Sequence, residues 1–122
     1  MSLVWAVAAA GAVGAPSRYL VDTAISRAWR RDFPLGTLVI NTTGALVLGV
    51  VTGLVLYHGL SSTPKVVIGT GFCGAYTTFS TLWFEVVRLS EEREQATAVR
   101  YVVASTVAGL AAAAAGLALA AL

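Results

Sequence analysis

Charge is what this sequence has least of. Only 11% of its 122 residues are Asp, Glu, Lys or Arg, against about 25% in an average soluble chain. Hydrophobic residues make up 57%, and mean hydropathy is +0.80. A soluble domain of this size needs polar groups over most of its surface, and six acids with eight bases do not supply them. That excludes an ordinary water-soluble enzyme. It also excludes a nucleic-acid module, because a net charge of +2 built from so few charges leaves no basic patch to track a phosphate backbone. A single cysteine cannot close an internal disulfide. A single histidine cannot by itself build a His/Cys metal site or a hydrolytic triad. The solvent this composition fits is the bilayer.

What is present in quantity is long uncharged stretches. Leu35–Tyr57 and Val102–Leu122 carry no charged residue, and at about 1.5 Å per residue each covers roughly 30 Å, the thickness of a hydrocarbon core. Val66–Phe84 is also uncharged but crowded with Gly, Thr and Ser. Leu3–Ser17 is shorter, and reaches spanning length only if the helix continues past Arg18 to about Ile25. A signal peptide over this first stretch is disfavoured by the missing basic n-region and cleavage site. The expected fold is all-α and integral to the membrane, one domain over 1–122. Its four transmembrane helices fall at about 3–25, 35–57, 66–87 and 99–122, with a break in the third. Arg27, Arg30, Arg31, Arg88, Arg93 and Arg100 fall on one side of that plan and Lys65 alone on the other. The positive-inside rule therefore predicts cytoplasmic loops after spans one and three, with both termini outside.

Polar groups within spans cost free energy and point to function. Arg18 reads either as a snorkelling side chain or as a fixed positive charge at a wet vestibule. No acidic residue occupies the middle of a span; Asp22 and Glu85 flank span ends. Nothing therefore offers a cation or proton a buried carboxylate. Asn41 shares a helical face with Ala45, Gly49 and Gly53, and its amide either bridges helices or donates into a pore. Tyr101, Ser105 and Gly109 recur at the same interval of four, with the same two readings for the hydroxyls. The third span contains Gly69-Thr-Gly-Phe-Cys-Gly74-Ala-Tyr-Thr77-Thr78-Phe79-Ser80-Thr81. Three glycines before a hydroxyl-rich, β-branched run are poor material for a straight helix. A break at membrane depth frees carbonyls suited to a hard cation, whereas the lone Cys73 reads as a packing residue.

Three motifs in order resemble the Fluc/CrcB fluoride channels, and the likeness covers nearly the whole chain. They are Gly11-x-x-Gly14-Ala15-x-x-Arg18-Tyr19, Gly36-Thr37-Leu38-x-x-Asn41-x-x-Gly44, and Gly71-Phe72-Cys73-Gly74-x-x-Thr77-Thr78-Phe79-Ser80-Thr81 followed by Glu85. The third is the most specific. The resemblance implies passive fluoride export through an antiparallel dimer of four-helix subunits, with two pathways between the chains. It also implies a central structural sodium ion, not transported, held by the main-chain carbonyls of Gly74 and Thr77. Asn41, Phe79, Ser80, Tyr101 and Ser105 would line the fluoride pathway, with Arg18 near a vestibule. Phe79 would offer the electropositive edge of its ring, or would simply pack.

Two departures stand out. Where the family often has a second phenylalanine three residues after the first, this chain has Leu82, and the arginine-rich loops argue for one fixed orientation. Together they suggest pairing with an oppositely oriented homologue, although a second copy of the same chain also satisfies the plan. A small multidrug-type cation exporter is the alternative in the same size class. It would need a glutamate deep in the first span, where this chain has only Arg18 and then Asp22. A structural membrane subunit would explain the small-residue stripes but not the Gly/Thr run. An enzyme has no nucleophile–base pair or metal cluster to rest on.

Overall fold

The computed structural model describes residues 2–122, and among them every regular element is helical. Helix α1 (Ser2–Ala28) runs through Pro16 without ending. A six-residue loop follows, drawn together by Trp29, whose indole N–H donates to the Phe33 carbonyl at 3.1 Å. Pro34 then stands immediately before α2 (Leu35–His58), where a missing N–H costs nothing. Gly59 stops α2 by taking φ 63°, the left-handed conformation glycine adopts without penalty.

The third rod is composite. It begins as α3 (Ser62–Lys65), widens into a π-helical segment (Val66–Cys73), and closes with α4 (Gly74–Tyr76). Three residues, 77–79, lie outside any helix before α5 (Ser80–Glu91) begins. The glycines of this rod lie in helical turns, and the non-helical residues follow them in the hydroxyl-rich run. A tight reversal then leads into α6 (Gln95–Ala120). Arg93 takes φ 62°, its N–H bonds to the Ser90 carbonyl at 3.2 Å, and the Glu94 N–H reaches back to Leu89 at 2.8 Å. This is a Schellman closure with arginine in the seat glycine usually fills.

Four rods result, packed by close backbone approach more than by large side chains. Gly49 of α2 lies against the Ala113 backbone, and Gly116 of α6 lies against Leu46 and Val50, so the two helices run parallel with main chain on main chain. At their far ends His58 Nε2 donates to the Ala120 carbonyl at 2.6 Å. Helix α1 meets the π-helical segment in the same manner, with Gly71 against Val7 and Ala10 and Gly14 against the Phe72 carbonyl. Small residues let backbones close up, which is how helices associate in lipid. Among the described residues, buried side chains cluster at Leu89, Ala98 and Tyr101, ringed by Phe33, Leu38, Leu82 and Val86, with Phe33 edge-on to the Tyr101 ring.

Helices α2 and α6 are each long and apolar enough to cross a membrane, with mean hydropathy 2.0. Only 6% of the apolar stretch of α6 is buried, so it is not the core helix of a soluble protein. Its Val99, Val103, Val107 and Leu110 face outward, and a surface of that kind needs lipid or another protein.

Candidate functional site

The site is built around the three residues that leave the helical path. Thr77 is extended, with φ −79° and ψ 160°. Its N–H still bonds to the Cys73 carbonyl at 2.9 Å, and its hydroxyl doubles that bond at 2.8 Å. The next N–H, that of Thr78, would reach Gly74 in a continuous helix. It goes instead to Asn41 Oδ1 at 2.8 Å, while Asn41 Nδ2 donates to the Thr78 carbonyl at 2.8 Å. The amide of α2 thus pairs with both main-chain groups of Thr78, as a strand neighbour would. Gly74 is left without its i+4 amide partner. Thr78 in turn opens α5, because its hydroxyl accepts the Thr81 N–H at 3.1 Å, the work of an N-cap side chain. That withdraws the Thr81 N–H from the Thr77 carbonyl, which receives Arg18 Nη1 at 3.3 Å. Neither sequence reading of Arg18 named this contact.

The main chain here therefore has one side-chain partner from each flanking helix: Arg18 from α1 and Asn41 from α2. Gly44, one turn beyond Asn41, makes room for the approach. A Cβ there would overlap the Thr77 methyl group. Against this wall lies an open concavity of about 400 Å³ lined by Asn41, Leu48, Cys73, Gly74, Thr77 and Phe79. Phe79 itself is 77% exposed, and Ser80 beside it is exposed too. Of the residues singled out from the sequence, Asn41, Gly74, Thr77 and Phe79 line this concavity, while Arg18 meets the break at the Thr77 carbonyl and Ser80 begins α5 beside it.

Tyr101 lies apart from them, fully buried. Its hydroxyl donates to Glu85 Oε2 at 2.5 Å, and Glu85 Oε1 accepts the Thr37 hydroxyl at 3.0 Å. Thr37 is one turn from Asn41 on α2, so a single helical face carries the anchors of both groups. Two smaller polar cavities flank this face. One, of about 230 Å³, includes Asp22, Arg31, Asp32, Thr37, Glu85 and Arg88; the other, of about 180 Å³, includes Arg18, Asp22, Thr37, Thr78 and Thr81. Asp22 and Thr37 border both. Ser105, one turn beyond Tyr101 on α6, has a buried hydroxyl with no partner among the described residues. Among those residues no group of three or more His, Cys, Asp or Glu could hold a metal ion.

Sequence reasoning passed over Thr37 and the pairing of Glu85 with Tyr101. The signal was present: Thr37 and Asn41 are four apart, and Glu85 follows the third motif. The π-helical widening had no signal beyond glycine content. A family described as CrcB-like protein, Camphor Resistance (CrcB), matches residues 5–117. A protein of Leifsonia xyli named fluoride-specific ion channel FluC 1 is 49% identical over 92 residues, 75% of this chain and 67% of the relative. In Mycobacterium tuberculosis H37Rv, a fluoride-specific ion channel FluC 2 is 47% identical over 103 residues, 84% of this chain and 79% of the relative. Another FluC 2, from Cutibacterium acnes, is 42% identical over 120 residues, 98% and 97% of the two chains.

Proposed function

The chain belongs to the CrcB family, and from that premise we propose that it is a fluoride-selective channel that lets F⁻ leave the cytoplasm passively and so limits fluoride toxicity. It is a membrane protein of ion-channel kind, not an enzyme. The observation that carries the reading is the arrangement at residues 77–79. Main chain released from helical bonding is held by Asn41 and Arg18, with a ring, hydroxyls and an amide gathered at one place. Fluoride is small and strongly hydrated, so a path for it needs several weak donors that bind and release. The unpartnered hydroxyl of Ser105, the exposed Ser80 and the edge of Phe79 supply groups of that kind. The relatives' names specify fluoride.

The subunit pairs with an antiparallel partner in this proposal, and the open concavity beside Gly74 and Phe79 is part of the joining face. A structural sodium ion fits the donors available. The Gly74 carbonyl lacks its helical partner, it shares the concavity with Thr77, and no carboxylate borders it. Neutral carbonyl oxygens suit a hard cation, and sodium would add fixed positive potential where two broken rods meet. In the proposed topology both termini face outward and the arginine-rich loops face the cytoplasm of a cell-membrane protein.

The test is fluoride release from liposomes, followed with a fluoride electrode. Release by the lone chain supports a self-paired channel, and release only with an oppositely oriented homologue supports the mixed pair. No release in either case overturns the proposal. A reporter fused to the C-terminus should signal from outside only, and equal signals from both sides would overturn the fixed orientation.

A further inference from the structure

We infer that Arg18 and the structural cation exchange with one another on the Thr77 carbonyl, and that Arg18 keeps this oxygen satisfied whenever the cation is away. The inference rests on the sodium reading above and adds a residue to it.

The oxygen in question has lost its place in the helix. Its i+4 partner would be the Thr81 N–H, which is spent on the Thr78 hydroxyl. An unpaired carbonyl at membrane depth is costly, so a chain without its cation needs another donor there. Arg18 provides it at 3.3 Å. The placement follows from packing: Gly14 and Gly71 bring α1 and the π-helical segment into backbone contact, which sets Arg18 level with Thr77. A guanidinium donates hydrogen bonds without accepting any, so it mimics a cation at a carbonyl.

Both cannot stay. A sodium ion on the Thr77 oxygen would lie beside a second full positive charge in a region of low dielectric, where like charges repel strongly. At 3.3 Å the existing bond is long for a charge-assisted one. Arg18 has somewhere to go. Asp22 lies one turn further along the same face of α1 and borders the same polar cavity of about 180 Å³, together with Thr78 and Thr81. The chain thus offers the guanidinium two seats, the Thr77 carbonyl and the Asp22 carboxylate, and the cation chooses between them.

The experiment is sodium-dependent thermal stability of the purified, detergent-solubilised protein, with N-methylglucamine replacing sodium at constant ionic strength. A ligand that binds the folded state raises the midpoint according to its affinity, so the half-saturating sodium concentration can be read without any flux measurement. Removing the competitor with Arg18→Gln should lower that concentration by about tenfold, the size expected for one weak charge-assisted bond. Removing the alternative seat with Asp22→Asn, an exposed carboxylate, should raise it by about twofold, the value of an exposed i,i+4 pair. Opposite signs for the two variants support the exchange. If Arg18→Gln needs the same or more sodium than the parent chain, Arg18 supports the cation instead and the exchange is wrong. If neither the parent chain nor the variants respond to sodium, the sodium reading falls and takes the exchange with it. Should Arg18→Gln fail to fold, Asp22→Asn decides alone, and an unchanged or lower sodium requirement refutes the idea.

Discussion

Replacing Asn41 tests how residues 77–79 are held. Its amide makes two bonds of 2.8 Å to the main chain of Thr78. Asn41→Ala removes both and leaves an N–H and a C=O without partners inside a membrane protein. Interhelical hydrogen bonds in membranes contribute roughly 0.6–1.7 kcal/mol each, and stranding a buried polar group costs about 1–3 kcal/mol. The local structure should therefore lose about 2–4 kcal/mol, enough to raise the open population at Thr78 by a factor of about 30 to 1,000. Amide hydrogen exchange followed by mass spectrometry over residues 74–81 reads this directly, and fluoride efflux should fall with it. Asn41→Asp separates structure from charge. Its carboxylate still accepts the Thr78 N–H, so protection at that amide should largely persist. It loses the donor to the Thr78 carbonyl and places a negative charge where an anion would pass, so efflux should fall even so. Unchanged exchange at Thr78 in Asn41→Ala would refute the clamp, and unchanged efflux in Asn41→Asp would remove Asn41 from the anion's route.

Gly116→Ala should destabilise the protein by about 3 kcal/mol, since the new methyl group meets the α2 backbone at Leu46 and Val50. Gly109→Ala, with open space around it, should be neutral or stabilising by up to about 1 kcal/mol from helix propensity; equal thermal midpoints for the two variants would refute the main-chain packing of α2 on α6. Glu85→Ala strands the Thr37 and Tyr101 hydroxyls and should cost about 2–4 kcal/mol in thermal unfolding, with Glu85→Gln costing less because one acceptor remains. Arg93→Gly relieves a left-handed arginine at the turn into α6 and should raise stability by about 1 kcal/mol; a loss would mean that the side chain contributes more than its backbone strain takes away.

How much of this was legible in the sequence depends on what each feature rests on. Helix positions rest on uncharged length and on punctuation such as Pro34 and Gly59; α2 runs Leu35–His58, against an expected 35–57, and α6 runs Gln95–Ala120, starting four residues before the expected 99. The small-residue stripe of α2 was readable as a packing face, and Gly49 and Gly53 do pack against α6. Which neighbour a stripe meets was not readable, because glycine spacing carries no address. Residue types at the site were readable for a similar reason: polar groups in an apolar chain are few, and Arg18, Asn41 and Thr77 stand out. Their partners were not. Side-chain-to-main-chain bonds such as Arg18 to Thr77 and Asn41 to Thr78 depend on where a carbonyl points after the helix ends, and no side-chain pattern encodes that.

Leu82 shows how a departure from a family pattern changes meaning once its surroundings are known. Read as a missing ring edge, it would subtract an aromatic contact from the anion's route. In the fold it packs inward on the cluster of Leu89, Ala98 and Tyr101 with Phe33 and Val86, while Phe79, three residues earlier, is 77% exposed. A leucine there fills volume beneath Tyr101, whose hydroxyl is fixed by Glu85. Its effect on conduction would then pass through the seating of that tyrosine. The case for an oppositely oriented homologue accordingly leans less on Leu82 than on the arginines of the two loops, whose bias is a property of the sequence and independent of the interior packing.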